Sequence, residues 1–473
     1  MNIFESIKTK NQSLSNKDAV IEGENRLTYG QLIVLVESFA ARLNQRGISP
    51  LSRVGLHCDD STEYIVACLA ILSLSAVVVP ITPKQKADEI KDIIDKICLD
   101  YVITDSSLHP SDSHLETLHL INKDFLIEKR QCITRLSSAY YGTNPAFIRF
   151  SSGTTGTSKG VLLSHESIMD RLDAANKGMQ ITPNDVVLWV LSMSFHFVVT
   201  ILLFLRCGAT IVLCGKHYPQ SLIEGVKIHG GTFIYASPFY YSLLSRSNEL
   251  SADALKNIRV AISTTIKLPA AIAEDFYNKF RFELSEAYGI IEVGLPFIRL
   301  SGGTTKRGSV GKPLPDFEIK FKNQDADGIG EIFLRGKGML DAYFSPWQDR
   351  KSIMDNGWFR TGDLGKLDAD GFLFIVGRNK EVINLGGLKI FPQEVEAALN
   401  LHPMIKESLV YGVPHSEYGQ LPMAKIVPTD SSSTIDLNTL RQHCAEHLTQ
   451  YKIPKGFKFV SELPRTGSGK IKR

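Results

Sequence analysis

The stretch FSSGTTGTSKG, Phe150 to Gly160, decides how the rest of the chain is read. It sets hydroxyl residues, glycines and one lysine between an apolar strand-like run, Ala146–Phe150, and a helical pattern from His165. Glycine lets backbone come close to a ligand. Hydroxyls and backbone N–H groups can hydrogen-bond phosphate oxygens, and Lys159 adds a point charge. The run therefore reads as a nucleotide-phosphate loop. It is not a Walker A loop, which needs Gly at 158 and then Lys and Ser or Thr, where the chain has Ser158, Lys159 and Gly160. Nor does a Gly-x-Gly-x-x-Gly follow a strand, since Gly336-Lys-Gly338 ends in Asp341. Taken alone, the run also fits an ordinary Ser/Thr/Gly surface loop.

Upstream, helical and strand patterns alternate. Gln31–Arg46 is amphipathic, Val54–Cys58 reads as a strand, Ser61–Leu72 as a helix, and Ala76–Pro80 and Tyr101–Thr104 as short buried strands. Downstream the rhythm continues through Thr210–Leu213, Phe233–Tyr235 and Val260–Ser263. Such alternation predicts parallel sheets covered by helices. From about residue 316 the pattern changes to strands Glu318–Phe321, Glu331–Arg335 and Phe372–Val376 between Gly and Asp turns, a β-rich subdomain. Gly377-Arg-Asn-Lys-Glu reads as a linker. Beyond it come a helix Pro392–Asn400, a strand Glu407–Val413, a helix Leu437–Gln450 and a strand Lys458–Phe459. The expected fold class is α/β. A large N-terminal part, 1–377, carries the parallel sheets and the β-rich subdomain, and a small α+β domain, 378–473, follows.

A chain of 473 residues exceeds what one hydrophobic core organises, so more than one domain is expected. The net charge of +3 gives no reason to invoke nucleic acid or an acidic membrane surface. Seven cysteines without a Cys-x-x-Cys spacing predict neither a disulfide framework nor a zinc site, and favour a reducing, cytoplasmic setting. The first residues, MNIFESIKTKNQ, lack an apolar core of signal-peptide length. Val186–Leu205 is apolar enough to raise the question of a membrane span. It contains Ser192, Ser194, His196 and Thr200, however, and divides into a β-rich and a helix-like half, so a buried strand, turn and helix is the expectation.

Four further motifs follow the phosphate loop: Tyr288-Gly-Ile-Ile-Glu292, Trp358-Phe-Arg-Thr-Gly-Asp363, the run from Gly377 to Gly387, and Pro464-Arg-Thr-Gly-Ser-Gly-Lys470. In this order they resemble the adenylate-forming superfamily of acyl- and aryl-CoA synthetases, luciferases and peptide-synthetase adenylation domains, over essentially the whole chain. The resemblance implies attack of a carboxylate on the α-phosphate of ATP, giving an acyl-adenylate, and then transfer to the thiol of coenzyme A or of a carrier protein's phosphopantetheine. Two anions must approach, so cations and fixed donors are needed.

By the same resemblance, Ser151, Ser152, Gly153, Thr154, Thr155, Gly156 and Lys159 cradle phosphates. Ala287, Tyr288 and Gly289 lie along the nucleotide, Glu292 holds Mg²⁺, and Asp363 and Arg378 take the ribose hydroxyls. Lys470 bridges carboxylate and α-phosphate. Lys380 marks a hinge about which the small domain swings, and Gly386 and Gly387 line the pantetheine passage. His196 matches an aromatic gate, and Phe195, Thr264, Thr265, Ile266, Ile290 and Gly294 complete the acid pocket. Singly, Glu292, Asp363 and Lys470 fit solvated or turn-capping roles; only their conjunction carries the chemistry.

The neighbours of His196, namely Phe195, Phe197, Val198 and Val199, offer no partner for an α-ammonium group, which disfavours amino acids and leaves aryl or fatty acids. Three departures from the family pattern stand out. Ile291 replaces a threonine, Thr264-Thr265-Ile266 replaces a Gly-Gly-Ala segment and is expected to intrude on the pocket floor, and Ser158 replaces a proline. The expected activity is ATP- and Mg²⁺-dependent acid–thiol ligation. A stand-alone adenylation enzyme loading one carrier protein, a luciferase-like oxygenase and a weakly active nucleotide-binding homologue remain alternatives.

Overall fold

The computed structural model describes residues 2–105, 116–131, 136–150, 159–300, 306–430, 435–465 and 471–473. Two nine-stranded sheets dominate the N-terminal part. In the first, Val260–Ser263, Phe233–Ala236, Val186–Trp189 and Thr210–Leu213 lie parallel at the centre. Ser285–Ile290 and Gly294–Arg299 form an antiparallel pair on one flank, and Asp18–Glu22 pairs with Asn25–Thr28 on the other. In the second, Pro145–Phe150, Val77–Ile81, Arg53–His57 and Tyr101–Asp105 are parallel neighbours. Gly160–Ser164 turns back antiparallel on Pro145–Phe150, so both arms of the phosphate loop belong to one sheet.

Parallel strands are covered on both faces and read as continuous apolar runs, which is why they were legible. The antiparallel flanks, such as Glu116–Leu120 on Lys123–Lys129, have more polar strands that the alternation argument passes over. The sheets are therefore mixed rather than wholly parallel. The helix Thr62–Ser73 is apolar on every side and buried from Thr62 to Leu72, as a helix enclosed within the core must be. Ser61 caps it by accepting from the Tyr64 N–H at 3.3 Å.

The apolar run from Val186 resolves into the strand Val186–Trp189, a helical turn Met193–His196, one π-helical turn Phe197–Ile201 and the helix Leu202–Arg206. Among the described residues no helix is long and apolar enough to cross a membrane. Cys58, Cys68, Cys207, Cys214 and Cys444 are free thiols. Cys98 is disulfide-bonded. That one bond departs from the cysteine reading, because pairing depends on proximity in the fold and not on count or spacing.

A four-stranded antiparallel sheet, Phe317–Lys322, Gly330–Gly336, Phe359–Leu367 and Leu373–Arg378, forms the β-rich subdomain. After a short 3₁₀ turn, Asn379–Glu381, a separate five-stranded sheet begins at Ile383 and packs on the helices Pro392–Leu399 and Leu437–His447. Arg378 therefore ends a strand of the first part, and the break between sheets falls on the turn that holds Lys380.

Candidate active site

Strands of two sheets bring three of the singled-out side chains together. Strand pairing sets Asp363 directly opposite Arg378. The Asp363 carboxylate is buried, at 4% exposure; Arg378 Nε stands 3.0 Å from Oδ1, and the Tyr288 hydroxyl donates to Oδ2. Three residues from three motifs thus meet at one carboxylate. Burial, reinforced by the Asp363 charge, pushes the Tyr288 phenol far above its ordinary range, so it stays a proton donor. Ala287 to Ile290 complete the strand that carries Tyr288.

Glu292 follows at the turn into Gly294–Arg299. Its backbone is held from behind: Arg171, 2% exposed on the helix His165–Met179, donates to the carbonyls of Ile291 (2.7 Å), Glu292 (3.4 Å) and Gly338 (2.7 Å). The Leu340 N–H also donates to the Glu292 carbonyl, at 2.7 Å. The Gly336-Lys-Gly338 run is therefore a brace and not a nucleotide motif. A Cβ at Gly338 would stand 2.5 Å from the backbone nitrogen of Arg171, and φ there is +67°. The Tyr343 hydroxyl donates to Glu292 Oε1 at 3.2 Å. A half-buried carboxylate on a pinned backbone is the kind of hard oxygen donor Mg²⁺ takes, so the site fits the ion its chemistry calls for.

Lys159, just past the phosphate loop, lies 4.6 Å over the Tyr343 ring and 3.3 Å from Gln348 Oε1, on the same side as Glu292's partner. Burial pushes the Arg171 guanidinium down to about 9 and that of Arg149 down to about 10; Glu292 opposes both shifts, so both remain cations at neutral pH. Arg149, Arg171 and Tyr343 escaped the sequence reading. The signal for the first was an arginine inside the apolar strand Pro145–Phe150; the other two look like ordinary surface positions until the fold places them.

His196 is half-buried at the end of the turn Met193–His196, with Phe195 before it and the π-helical turn after it. Such single π turns recur at functional sites. The Met193 N–H donates to Asp60 Oδ1 at 2.8 Å, tying this segment to the loop after Arg53–His57.

The residues of the Thr264-Thr265-Ile266 segment differ in burial. Thr264 turns inward, 8% exposed, with its hydroxyl 3.4 Å from that of Tyr235. Thr265 adopts φ +74°, a region L-residues with branched Cβ atoms avoid. Ile266 is 52% exposed. Ile291 packs half-buried against the main core, as does Ile290. Gly294, at φ +107°, lies against the Arg171 side chain.

In the small domain, Gly386 and Gly387 form the exposed turn between Ile383–Leu385 and Leu388–Ile390, with φ +56° and +90°. Lys380 is exposed, and burial with the neighbouring Arg378 charge lowers its pKa. Ser151, Ser152, Gly153, Thr154, Thr155, Gly156 and Lys470 lie outside the described residues. Both flanks of Lys470's segment are anchored. Arg465 and Ile471 form an isolated β-bridge, and Arg473 grips Glu396 with two hydrogen bonds of 2.8 and 2.6 Å. The described residues on either side of that segment are thus paired.

This is an α/β fold in two parts, with acidic, basic and aromatic side chains gathered at the strand ends. The family model for AMP-binding enzymes matches residues 7–344, and that for the AMP-binding enzyme C-terminal domain matches residues 394–470. The 3-hydroxybenzoate–CoA ligase of Aromatoleum sp. (strain CIB) is 28% identical, over 98% of this chain and 93% of its own. The sulfoacetate–CoA ligase of Cupriavidus necator is 34% identical over 70% of this chain and 66% of its own. In structure, the o-succinylbenzoate CoA synthetase of Bacillus subtilis with its acyl-adenylate intermediate superposes with a TM-score of 0.84 at 24% identity, covering 100% of this chain and 97% of that one. The chain belongs to the AMP-binding enzyme family and is an adenylate-forming acid–thiol ligase.

Proposed function

We propose that this enzyme activates a carboxylic acid lacking an α-ammonium group with ATP and Mg²⁺, and passes the acyl group to the thiol of coenzyme A. The carrying observation is the convergence of Tyr288 and Arg378 on the buried Asp363 carboxylate, with Tyr288 four residues before the pinned Glu292.

Asp363 accepts the ribose hydroxyls. The cost of burying its charge is already offset by Arg378 and the Tyr288 hydroxyl, so the acceptor is pre-aimed. Glu292 would hold Mg²⁺, which when bound would supply positive charge to the phosphates. The backbone behind Glu292 cannot relax away, because Arg171 holds two successive carbonyls. The loop from Ser151 to Gly156, with Lys159, takes the outer phosphates, and Lys470 compensates the charge shared by acid and α-phosphate. In the second step the small domain turns about Lys380. The thiol then passes Gly386-Gly387, attacks the acyl carbon, and AMP leaves with the electron pair of the broken acyl–oxygen bond. The gate residues Phe195 and His196 close over an acid with an uncharged α-carbon.

The two named relatives act on an aromatic and a sulfonated acid, which supports a ligase reading while leaving the acid class wide. The test is ATP–pyrophosphate exchange over a panel of aryl, fatty and two-acid compounds, followed by AMP release with coenzyme A or with a phosphopantetheinylated carrier protein. Exchange with at least one acid, and AMP release faster with coenzyme A, is the expected result. Exchange with α-amino acids only, or release with the carrier protein only, overturns the corresponding half of the reading.

A further inference from the structure

The reaction as described leaves one cation of the site without a task. Arg149 stands at the penultimate position of the strand Pro145–Phe150, immediately before the phosphate loop. Alternation along a strand sends Phe147 and Arg149 to the same face. Phe147 stacks on Phe197 with ring centroids 6.4 Å apart. Arg149 lies 5.4 Å from the centre of the Phe195 ring, and its Nη1 donates to the Phe195 carbonyl. The guanidinium therefore lies against the segment that carries His196, over the Phe195 ring and bonded to the Phe195 carbonyl.

Its hydrogen bonding is incomplete. A guanidinium offers five N–H donors. Arg149 Nε is buried without any partner, and among the described residues no carboxylate approaches Arg149 within ion-pair distance. Other arginines are met by more partners, although Arg53 Nη1 and Arg46 Nε are also buried without one. Arg53 is closed by Asp100 at 2.7 Å, Arg299 by Glu286 at 3.1 Å, and Arg171 by three carbonyls. Arg149 is half-buried, and its buried, vacant Nε is costly unless an anion arrives to meet it. An apolar residue would pack beside Phe195 and Phe147 without that cost. The planar fork of arginine also suits paired oxygens, which a lysine point charge does not.

We propose that Arg149 is the anion-binding residue of the acid pocket, taking the paired oxygens of a carboxylate or sulfonate on the bound acid. This rests on the acid-activating reading above and states how that site holds its acid. The oxygens belong either to the reacting carboxylate or to a second acidic group, and the experiment separates these sources.

Arg149→Met and Arg149→Lys are compared with the wild-type enzyme by ATP–pyrophosphate exchange. Sulfoacetate and malonate carry two anionic groups; 3-hydroxybenzoate and butyrate carry one. Arg149→Met is expected to raise the KM for acid by about 50-fold or more while the KM for ATP moves less than about threefold, with Arg149→Lys between. A loss confined to the two-anion probes assigns Arg149 to the second group; a loss across all probes assigns it to the reacting carboxylate. The inference is overturned if Arg149→Met leaves the acid KM unchanged, or raises the KM values for acid and ATP together, as a merely structural cation would. Where Arg149→Met does not fold, Arg149→Lys is read by the same ratio. Wild-type silence on every acid overturns the proposed function and this inference with it; wild-type activity with an indifferent Arg149→Met overturns this inference alone.

Discussion

At the scale of single residues, Asp363 is where most of the site's electrostatics meet. Asp363→Asn keeps the shape and removes the charge, leaving Arg378 without its counter-ion and the ribose without an anionic acceptor. The expected result is a rise in the KM for ATP of about 10- to 100-fold in pyrophosphate exchange, with the melting temperature lowered far less than activity. Lys470→Ala should abolish adenylate formation while sparing thioester formation from supplied acyl-adenylate, measured as two separate half-reactions. Equal loss in both would contradict separate conformations for the two steps. Thr265 holds φ +74° without being glycine. Thr265→Gly should therefore stabilise the fold by about 1 kcal/mol in chemical denaturation, the reverse of the usual effect of adding glycine.

At the scale of elements, two interior contacts position the site. Arg171 ties the helix His165–Met179 to the turn that carries Glu292. Arg171→Met leaves three carbonyls without that donor and should cost about 3–5 kcal/mol in denaturant unfolding. Asp60 ties the loop after Arg53–His57 to the gate segment through the Met193 N–H. Burial pushes the Asp60 carboxyl up to about 6 from an ordinary 3.8. Between those values the folded protein binds more protons than the unfolded chain, so this group's contribution to stability falls as pH rises through the window. Asp60→Asn should then be more stable than the wild type at pH 7, by about 2 kcal/mol after allowance for its remaining solvent contact, and the two should converge near pH 4. Melting curves at the two pH values check the sign.

At the scale of the whole molecule, one short turn joins the sheets of the two parts, and Gln393 of the small domain packs against Gly377 at its start. The last strand of the first part ends at Arg378, whose side chain stays paired with Asp363, and the next sheet begins at Ile383. On the proposed reading, backbone rotation in Asn379–Glu381 turns the small domain while both sheets stay intact. Lys380→Pro restricts that rotation. It should leave pyrophosphate exchange within a few-fold of wild type, about the effect of a surface change, while thioester formation falls sharply. Both steps falling together would place the hinge elsewhere.

The sequence by itself determined the class of fold, the order of the motifs and most of the elements that carry them. Parallel strands such as Thr210–Leu213 and Val260–Ser263 are buried on both faces and so announce themselves as apolar runs. The cradle of Ser, Thr, Gly and Lys announces its ligand through chemistry alone. Only the tertiary structure decided what stands behind that chemistry: Arg171 under Glu292, Tyr343 against its carboxylate, Thr264 turned inward, Cys98 in a disulfide, and Arg149 short of partners against Phe195. Those contacts join segments distant in the chain, 120 positions apart for Arg171 and Ile291, 51 for Tyr343 and Glu292, and 46 for Arg149 and Phe195. No local pattern encodes such a meeting, because the free energy that fixes it comes from burying and pairing groups that are neighbours only in the folded state.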